Sequence, residues 1–277
     1  MDEDILELYP DPGRKHRLNG LYLNESALPA AGKQPFIYSN FISSLDGRIA
    51  VPGPGRSTGQ VPPAIANARD WRLFQELAAH ADLIITSARY FRQVRDHEAQ
   101  AELPIGSAPE FADLRAWREA RGLAPQPDIA VFSASLDIPA TALNQYGDRR
   151  IFLLTGAAAE REKLAVIKAT SPVRIVTCGN GSHVDASVLR DRLADLGYRS
   201  IYAIAGPAVL HTLLQGNALD RLYHTTAHCL LGGTAFDTLV HGTQLDPAIR
   251  MPLQAMYLDT RAPAGAGQTL AVYGPRE

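Results

Sequence analysis

The chain has 277 residues and a mass of 30.0 kDa, enough for one large domain with a full hydrophobic core. Its 27 Lys and Arg residues and 29 Asp and Glu residues give a formal charge of −2, which offers no general attraction to nucleic acid or anionic lipid. No apolar run approaches the roughly 20 residues of a membrane-spanning helix. Because the acidic start of the chain is unlike a signal peptide, we expect a cytoplasmic protein that binds neither nucleic acid nor membrane.

Residues 1–34 are rich in Pro, Gly and charged residues and contain only short apolar stretches. This composition predicts an irregular N-terminal arm packed on a main domain of residues 35–277.

From Phe36 onward, short β-prone runs alternate with longer helical patterns. Residues 64–81 repeat apolar side chains at helical spacing, and residues 186–196 do the same behind Asp185, whose carboxylate is placed to cap the helix. This alternation predicts a three-layer α/β fold with a mostly parallel central sheet and helices on both faces. The predicted strands are 36–42, 83–86, 129–132, 151–155, 173–177, 201–205 and 222–227, followed by an antiparallel pair at 254–260 and 269–273.

His224 and His228 have the i, i+4 spacing of two zinc ligands on a helix. They are the only residues that favour a metal-dependent hydrolase as an alternative function. Residues 222–227 have a strand pattern, however, and residues four apart on a strand lie about 13 Å from each other. We therefore expect no metal site. Two cysteines, Cys178 and Cys229, are too few for a disulfide framework and are expected to be buried thiols.

Three glycine-containing segments are candidates for phosphate binding. Residues 179–184 lack the third glycine of a dinucleotide-binding fingerprint and residues 53–58 lack the lysine of a P-loop, so both predict turns. The third segment, Gly206-Pro207-Ala208, follows a predicted strand and opens a predicted helix. Backbone N–H groups at such a helix start suit a phosphate or pyrophosphate group.

The first predicted strand of the domain ends in small polar residues and the turn Ser-Leu-Asp-Gly at 44–47. Small residues at a strand end leave room for a flat ring on the backbone. Asp46 is our first candidate for a catalytic residue that orients the substrate or relays a proton, and Ser43, Ser44 and Thr58 are weaker candidates. A turn aspartate that hydrogen-bonds its own backbone is equally consistent with this pattern.

Together with the segments 82–91, 131–139 and 178–233, this turn resembles the reductase domain of riboflavin biosynthesis, a pyrimidine reductase with a dihydrofolate-reductase-like fold. The resemblance covers residues 36–273 in order and with similar spacing. It implies a three-layer α/β domain that binds NADPH across the carboxyl ends of the strands and transfers hydride to a small heterocyclic or carbonyl substrate. It also implies a homodimer, for which the strands after Leu222 would offer an apolar edge.

The resemblance further implies cofactor contacts at the ends of several strands. Arg89 is the candidate partner of an adenosine 2′-phosphate, although a solvent-exposed arginine is the alternative. No catalytic dyad or triad is expected, because hydride transfer mainly requires that the cofactor be held against the acceptor in a dry pocket. The implied contacts are Ile42, Ser57, Thr86, Ser87, Arg89, Tyr90, Ser133, Gly206, Pro207, Ala208 and Val209.

Three features depart from the family pattern. Ile204 stands where the family has a glutamate, and Ala78 stands where it has an arginine. The family's Asp-x-Pro-x-Leu-Thr-x-Arg loop is missing. In its place the chain has residues 93–98 and a charged helical insert around 111–121. Since the family's residues bind the polar end of the substrate, we expect a diverged substrate. Two functions stay open: a reductase that uses NADPH, and a nucleotide-binding module of the same fold without turnover.

Overall fold

The computed structural model describes residues 3–25, 34–53, 59–99 and 102–274. These residues form thirteen strands, seven α-helices and a short 3₁₀ helix at Pro109–Phe111. The strands are β1 (Glu3–Tyr9), β2 (Lys15–Arg17), β3 (Phe36–Ser44), β4 (Val51–Pro52), β5 (Gly59–Gln60), β6 (Leu83–Ser87), β7 (Asp128–Phe132), β8 (Ile151–Thr155), β9 (Val173–Thr177), β10 (Ser200–Ala203), β11 (Arg221–Ala227), β12 (Leu253–Asp259) and β13 (Gln268–Tyr273). The helices are α1 (Ala68–His80), α2 (Ala88–Arg95), α3 (Ala112–Glu119), α4 (Ala140–Asn144), α5 (Arg161–Thr170), α6 (Leu189–Asp195) and α7 (Pro207–Gln215).

Eleven of these strands form one sheet in the order β2-β1-β12-β13-β11-β3-β10-β6-β7-β8-β9. The strands from β11 to β9 run parallel to their neighbours. The four strands at the other end pair antiparallel. Each strand predicted between residues 36 and 273 is present to within two residues of its predicted ends. The three-layer, mostly parallel α/β fold is therefore confirmed.

Two clusters of buried side chains hold helices against the sheet. Because successive side chains of a strand point to opposite faces, β3 gives Tyr38 to one cluster and Ile37 to the other. Leu77 of α1 packs in the first cluster and Leu213 of α7 in the second. This alternation explains why the parallel strands are apolar on both faces.

The prediction of an irregular N-terminal arm is wrong for residues 3–17. β1 pairs antiparallel with β12, and β2 pairs with β1, so both strands extend the main sheet. The partner of β1 on the sheet, β12, is distant in the chain, so the local composition does not show which strand it joins. This pairing also covers β12, so the strands after Leu222 do not form the open edge on which the homodimer prediction relied. The homodimer stays a prediction that light scattering at micromolar concentration would test.

The start of α6 also differs from its prediction. Asp185 does not cap this helix, which begins at Leu189; its Oδ1 instead accepts a hydrogen bond from the Ser187 N–H at 2.9 Å. An aspartate stabilises a turn two residues ahead as readily as it caps a helix. Cys178 is buried, as expected, but Cys229 is partly exposed, which corrects that prediction. None of the helices in the described residues has the length and apolar character that a membrane crossing requires.

Candidate active site at the carboxyl ends of the parallel strands

The parallel register brings most of the predicted site residues to one edge of the sheet. Ser87 ends β6 beside Phe132 of β7, and the Ser133 N–H donates a hydrogen bond to the Leu154 carbonyl oxygen at 3.2 Å. The ends of β3 and β10 lie at the same edge, since these two strands are also parallel neighbours. Ligands of open α/β sheets bind at this carboxyl edge.

The turn before α7 leaves an open space in front of a helix start. A Cβ atom at Gly206 would meet no atom within 4 Å. The N–H groups of Val209 and Leu210 already donate to the Gly206 carbonyl oxygen, at 3.0 and 3.3 Å, and Pro207 has no N–H. The N–H groups of Gly206 and Ala208 are therefore the donors that this turn offers to a phosphate group. The turn fits a pyrophosphate group by its space and its donors.

The predicted residues after β6 lie on the same edge and make specific contacts. Arg89 Nη2 donates to the Gly59 carbonyl oxygen at 3.2 Å, and Arg89 Nη1 lies 3.8 Å from Asp237 Oδ2. The hydroxyl groups of Tyr90 and Tyr146 are 2.8 Å apart. Because the Arg89 side chain is 40% exposed, it can exchange this carboxylate for a bound phosphate.

The remaining predicted cofactor contacts differ in exposure. Thr86 is buried, whereas Ser87 is partly exposed at the start of α2. Ser133 Oγ accepts a hydrogen bond from the Leu136 N–H at 3.0 Å, which holds the turn after β7. Ser57 and Thr58, with most of the predicted turn at 53–58, lie outside the described residues. The other predicted turn, at 179–184, is confirmed, and Gly179 adopts a φ of 95° there.

Asp46 is held by a dense set of contacts. It accepts hydrogen bonds from the Ser44 hydroxyl at 2.5 Å and the Gly232 N–H at 2.8 Å, and it pairs with Arg48 at 2.6 Å. These contacts, the Ser44 hydrogen bond first, lower the pKa of Asp46 to about 2. A carboxylate with this pKa can orient a group but does not donate a proton near neutral pH. Of the roles predicted for Asp46, the contacts favour orientation; its part in catalysis stays a prediction.

Ser43, the other serine predicted at this turn, contacts a histidine on β11. Ser43 Oγ lies 2.8 Å from His224 Nε2, and burial lowers the pKa of His224. β11 is a strand, as predicted, and His228 lies beyond its end, where Nε2 is 2.8 Å from Thr269 Oγ1. The two histidines therefore have separate partners.

The sheet face toward α1 is more exposed near its carboxyl edge than beneath the helix. Tyr38 of β3 is sealed beneath α1, and its hydroxyl donates to the Leu77 carbonyl oxygen at 2.8 Å. Asn40 and Ile42 project from the same face of β3 but are partly exposed. The amide oxygen of Asn40 accepts a hydrogen bond from the Tyr202 hydroxyl at 2.5 Å, which leaves the amide N–H groups as donors.

Asp70 is an ionisable residue near this face that the sequence analysis missed. It lies in the first turn of α1, is partly exposed, and its N–H donates to Asn67 Oδ1 at 2.9 Å. Thr225 of β11 is the register partner of Ile42 of β3. Burial raises the pKa of the Asp70 carboxyl to about 6. The signal in the sequence is a carboxylate three residues before Leu73, on the apolar stripe of the helix.

Several solved structures share the fold of this chain. A pyrimidine reductase-like protein of Corynebacterium diphtheriae shares 19% identity over 88% of this chain and 93% of its own, with a TM-score of 0.63. The riboflavin biosynthesis reductase of Saccharomyces cerevisiae shares 14% identity over 91% and 95%, with a TM-score of 0.53. RibD of Acinetobacter baumannii shares 15% identity over 88% of this chain but only 59% of its own, with a TM-score of 0.58. At these identities the likeness shows a common fold.

No curated protein sequence matches the chain at a significant level. The sequence model of the RibD C-terminal domain matches residues 35–259, which include every element from β3 to β12. This match covers most of the chain, and the fold agrees with it. The chain therefore belongs to the RibD C-terminal domain family.

Proposed function

We propose that this protein is an NADPH-dependent reductase that transfers hydride to a small heterocyclic or carbonyl substrate at the carboxyl edge of the sheet. The family membership supports a reductase of the riboflavin-pathway type. The observation that carries the proposal is the turn before α7, where Gly206 faces open space and offers free N–H groups with Ala208. Hydride transfer requires of the protein mainly that it orient the cofactor against the substrate and exclude water.

The residues present fit a nicotinamide dinucleotide, which when bound supplies the hydride. Gly206 and Ala208 would hold the pyrophosphate, and Arg89 the adenosine 2′-phosphate. Ile42, partly exposed at the end of β3, would give the nicotinamide ring a flat apolar surface. The substrate would then lie on the same face of the sheet, beside the partly exposed Asn40 and Ile42 of β3.

Replacing Gly206 by Leu is expected to weaken NADPH binding at least 10-fold, because the side chain would fill the space that the phosphate needs. The measurement is a fluorescence titration of the reduced cofactor. Gly147→Leu is the matched control, since Gly147 precedes β8 at the opposite end of the sheet and a Cβ there would meet its nearest atom at 3.5 Å. Equal affinity of Gly206→Leu and wild type would remove the pyrophosphate from this turn.

Arg89→Ala is expected to cost about 1.5–3 kcal/mol of binding free energy for NADPH and little for NADH, because only NADPH has the 2′-phosphate. Titrations with both cofactors give this difference directly. Arg174→Ala, at an exposed arginine on β9, is the control. A similar loss for both cofactors would assign Arg89 a structural role through Asp237.

A nucleotide-binding module without turnover is the second candidate, and the loss of the family's substrate-binding glutamate at Ile204 favours it. Steady-state NADPH oxidation over a panel of a deaminated pyrimidine phosphate, dihydrofolate and small ketones separates the two. Tight cofactor binding with no oxidation of any panel member would favour the module.

A further inference from the structure

An ion pair at the carboxyl edge joins Arg89, at the start of α2, to the long loop after β11. Arg89 Nη1 lies 3.8 Å from Asp237 Oδ2, and the two side chains are 40% and 34% exposed. This distance is too long for a hydrogen bond, so Asp237 contributes its charge rather than a directed contact. The directed contact comes from the hairpin of β4 and β5, where the Gly59 carbonyl oxygen accepts a hydrogen bond from Arg89 Nη2 at 3.2 Å. Gly59 therefore orients the guanidinium, and Asp237 partly neutralises its charge.

The backbone fixes Asp237 between two segments of the carboxyl edge. Its N–H donates to the Ala50 carbonyl oxygen at 2.8 Å, and its carbonyl oxygen accepts a hydrogen bond from the Ile49 N–H at 2.9 Å. Four residues later, the His241 N–H donates to the Pro207 carbonyl oxygen at 3.3 Å, in the first turn of α7. This stretch of the loop therefore runs from the residues after β3 to the turn that is proposed to hold the pyrophosphate. It places a carboxylate beside the proposed position of the cofactor phosphates.

We infer that Asp237 limits how tightly this chain binds its cofactor, because its carboxylate competes with a phosphate group of the cofactor for the Arg89 guanidinium. This inference rests on the proposed function, which places a nicotinamide dinucleotide at this edge. The phosphate group is either the 2′-phosphate of NADPH or the pyrophosphate that NADPH and NADH share. In the free protein the carboxylate neutralises the guanidinium, and in the complex a phosphate group takes over this role.

A carboxylate beside a phosphate-binding arginine has two opposite effects. It strengthens phosphate binding where it holds the guanidinium in position, and it weakens phosphate binding where its charge repels the phosphate. The geometry favours the second effect, because the Gly59 carbonyl oxygen orients the Arg89 guanidinium without Asp237. A phosphate that reaches Arg89 also comes close to a like charge that the backbone holds in place, and like charges at such distances repel each other.

Arg48 also contacts the loop after β11 but suits a phosphate group less well. Its Nη1 lies 2.6 Å from Asp46 Oδ2, and its Nη2 donates to the Gly233 carbonyl oxygen at 3.1 Å. Its guanidinium carbon lies 4.3 Å from the centroid of the Phe236 ring, and its side chain is only 13% exposed. A phosphate group would have to break these contacts, whereas Arg89 would exchange one ion pair for another.

The test measures the dissociation constants of NADPH and NADH for Asp237→Asn and wild type by fluorescence titration. The variant is expected to bind NADPH about fivefold more tightly, because a partly exposed ion pair and a like charge are both removed. A gain for NADPH alone would assign the 2′-phosphate to Arg89, and an equal gain for both cofactors would assign the pyrophosphate. Either result supports the inference. Unchanged or weaker binding of NADPH would overturn it, and weaker binding would give Asp237 a positioning role instead.

Salt, a second background and a matched control separate the charge of Asp237 from a change in the shape of the site. The gain should shrink in about 1 M salt, where the Debye length falls to about 3 Å. It should also be smaller when Arg89 is already replaced by Ala, because no guanidinium is then left to compete for. Asp96→Asn, which breaks an exposed ion pair with Arg95, changes the net charge equally and should alter neither affinity by more than about twofold. A gain that is equal in both backgrounds, persists undiminished in high salt or appears equally in the control would overturn the competition.

The two proposals fail in different ways. Wild-type protein that binds neither cofactor would refute the proposed function, and the role of Asp237 with it. Wild-type protein that binds NADPH, while Asp237→Asn binds it no more tightly, would refute only the role of Asp237. Both backbone hydrogen bonds of Asp237 remain in the variant, so we expect Asp237→Asn to fold. Asp237→Ala, which also removes the acceptor oxygens, should show the same gain, and the lack of a gain in both variants would refute the competition.

Discussion

Glu76→Ala is expected to lower the free energy of unfolding by about 3–5 kcal/mol, because Glu76 is a fully buried carboxylate with several donors. One oxygen accepts hydrogen bonds from the Gly20 N–H at 2.6 Å and from Arg72 Nε at 2.8 Å. The other accepts from the N–H groups of Tyr22 and Leu23 at 3.0 and 3.1 Å. Removing the carboxylate leaves these buried N–H donors and the Arg72 guanidinium without their acceptor, and each lost hydrogen bond lowers the free energy of unfolding.

Chemical denaturation at pH 7 measures this effect. Glu119→Ala, at an exposed glutamate at the end of α3, is the control and should change stability by no more than about 0.5 kcal/mol. Glu76→Gln should be intermediate, because the amide keeps an acceptor oxygen but loses the ion pair with Arg72. A change below about 1 kcal/mol for Glu76→Ala would show that the arm and α1 hold together without this carboxylate.

The second large effect concerns the substrate. We expect the protein to reduce the deaminated pyrimidine phosphate of the riboflavin pathway slowly. Its kcat/KM with this substrate should lie below about 10⁴ M⁻¹s⁻¹, which is under the ordinary range for enzymes. The family's glutamate and arginine are replaced by Ile204 and Ala78, and Ala78 is fully buried. Two or three lost polar contacts cost about 4 kcal/mol, roughly a thousandfold in kcat/KM.

Three arginines in or next to the replacement segments are already engaged in the structure, which supports this prediction. Arg95 makes two hydrogen bonds with Asp96, at 2.7 and 2.9 Å. Arg115 donates to the Gly106 carbonyl oxygen at 2.6 Å, and Arg92 donates to the Asp137 carbonyl oxygen at 2.9 Å. Recruiting any of them to a phosphate would break these contacts. Steady-state NADPH oxidation with this pyrimidine decides the matter, and a kcat/KM above about 10⁴ M⁻¹s⁻¹ would restore the family's substrate.

The sequence by itself determined the alternating elements from Phe36 onward and the glycine turn before α7. Buried parallel strands are short apolar runs, and the helices between them repeat apolar residues every three or four positions, so both patterns are local. The family resemblance likewise depended on contiguous segments, such as the turn that contains Asp46.

Only the tertiary structure decided which residues meet across the sheet. β1 and β2 join it because they complete an edge that lies more than 200 residues away in the chain, at β12, which no local pattern shows. Asp70 has the position of an ordinary first-turn aspartate, and only the packing of α1 on the sheet shows that burial raises the pKa of its carboxyl. The charge of Asp46 depends in the same way on Gly232, brought to it by the loop after β11. Burial and electrostatic environment are properties of the assembled layers, and they raise the pKa of one aspartate, Asp70, and lower that of the other, Asp46.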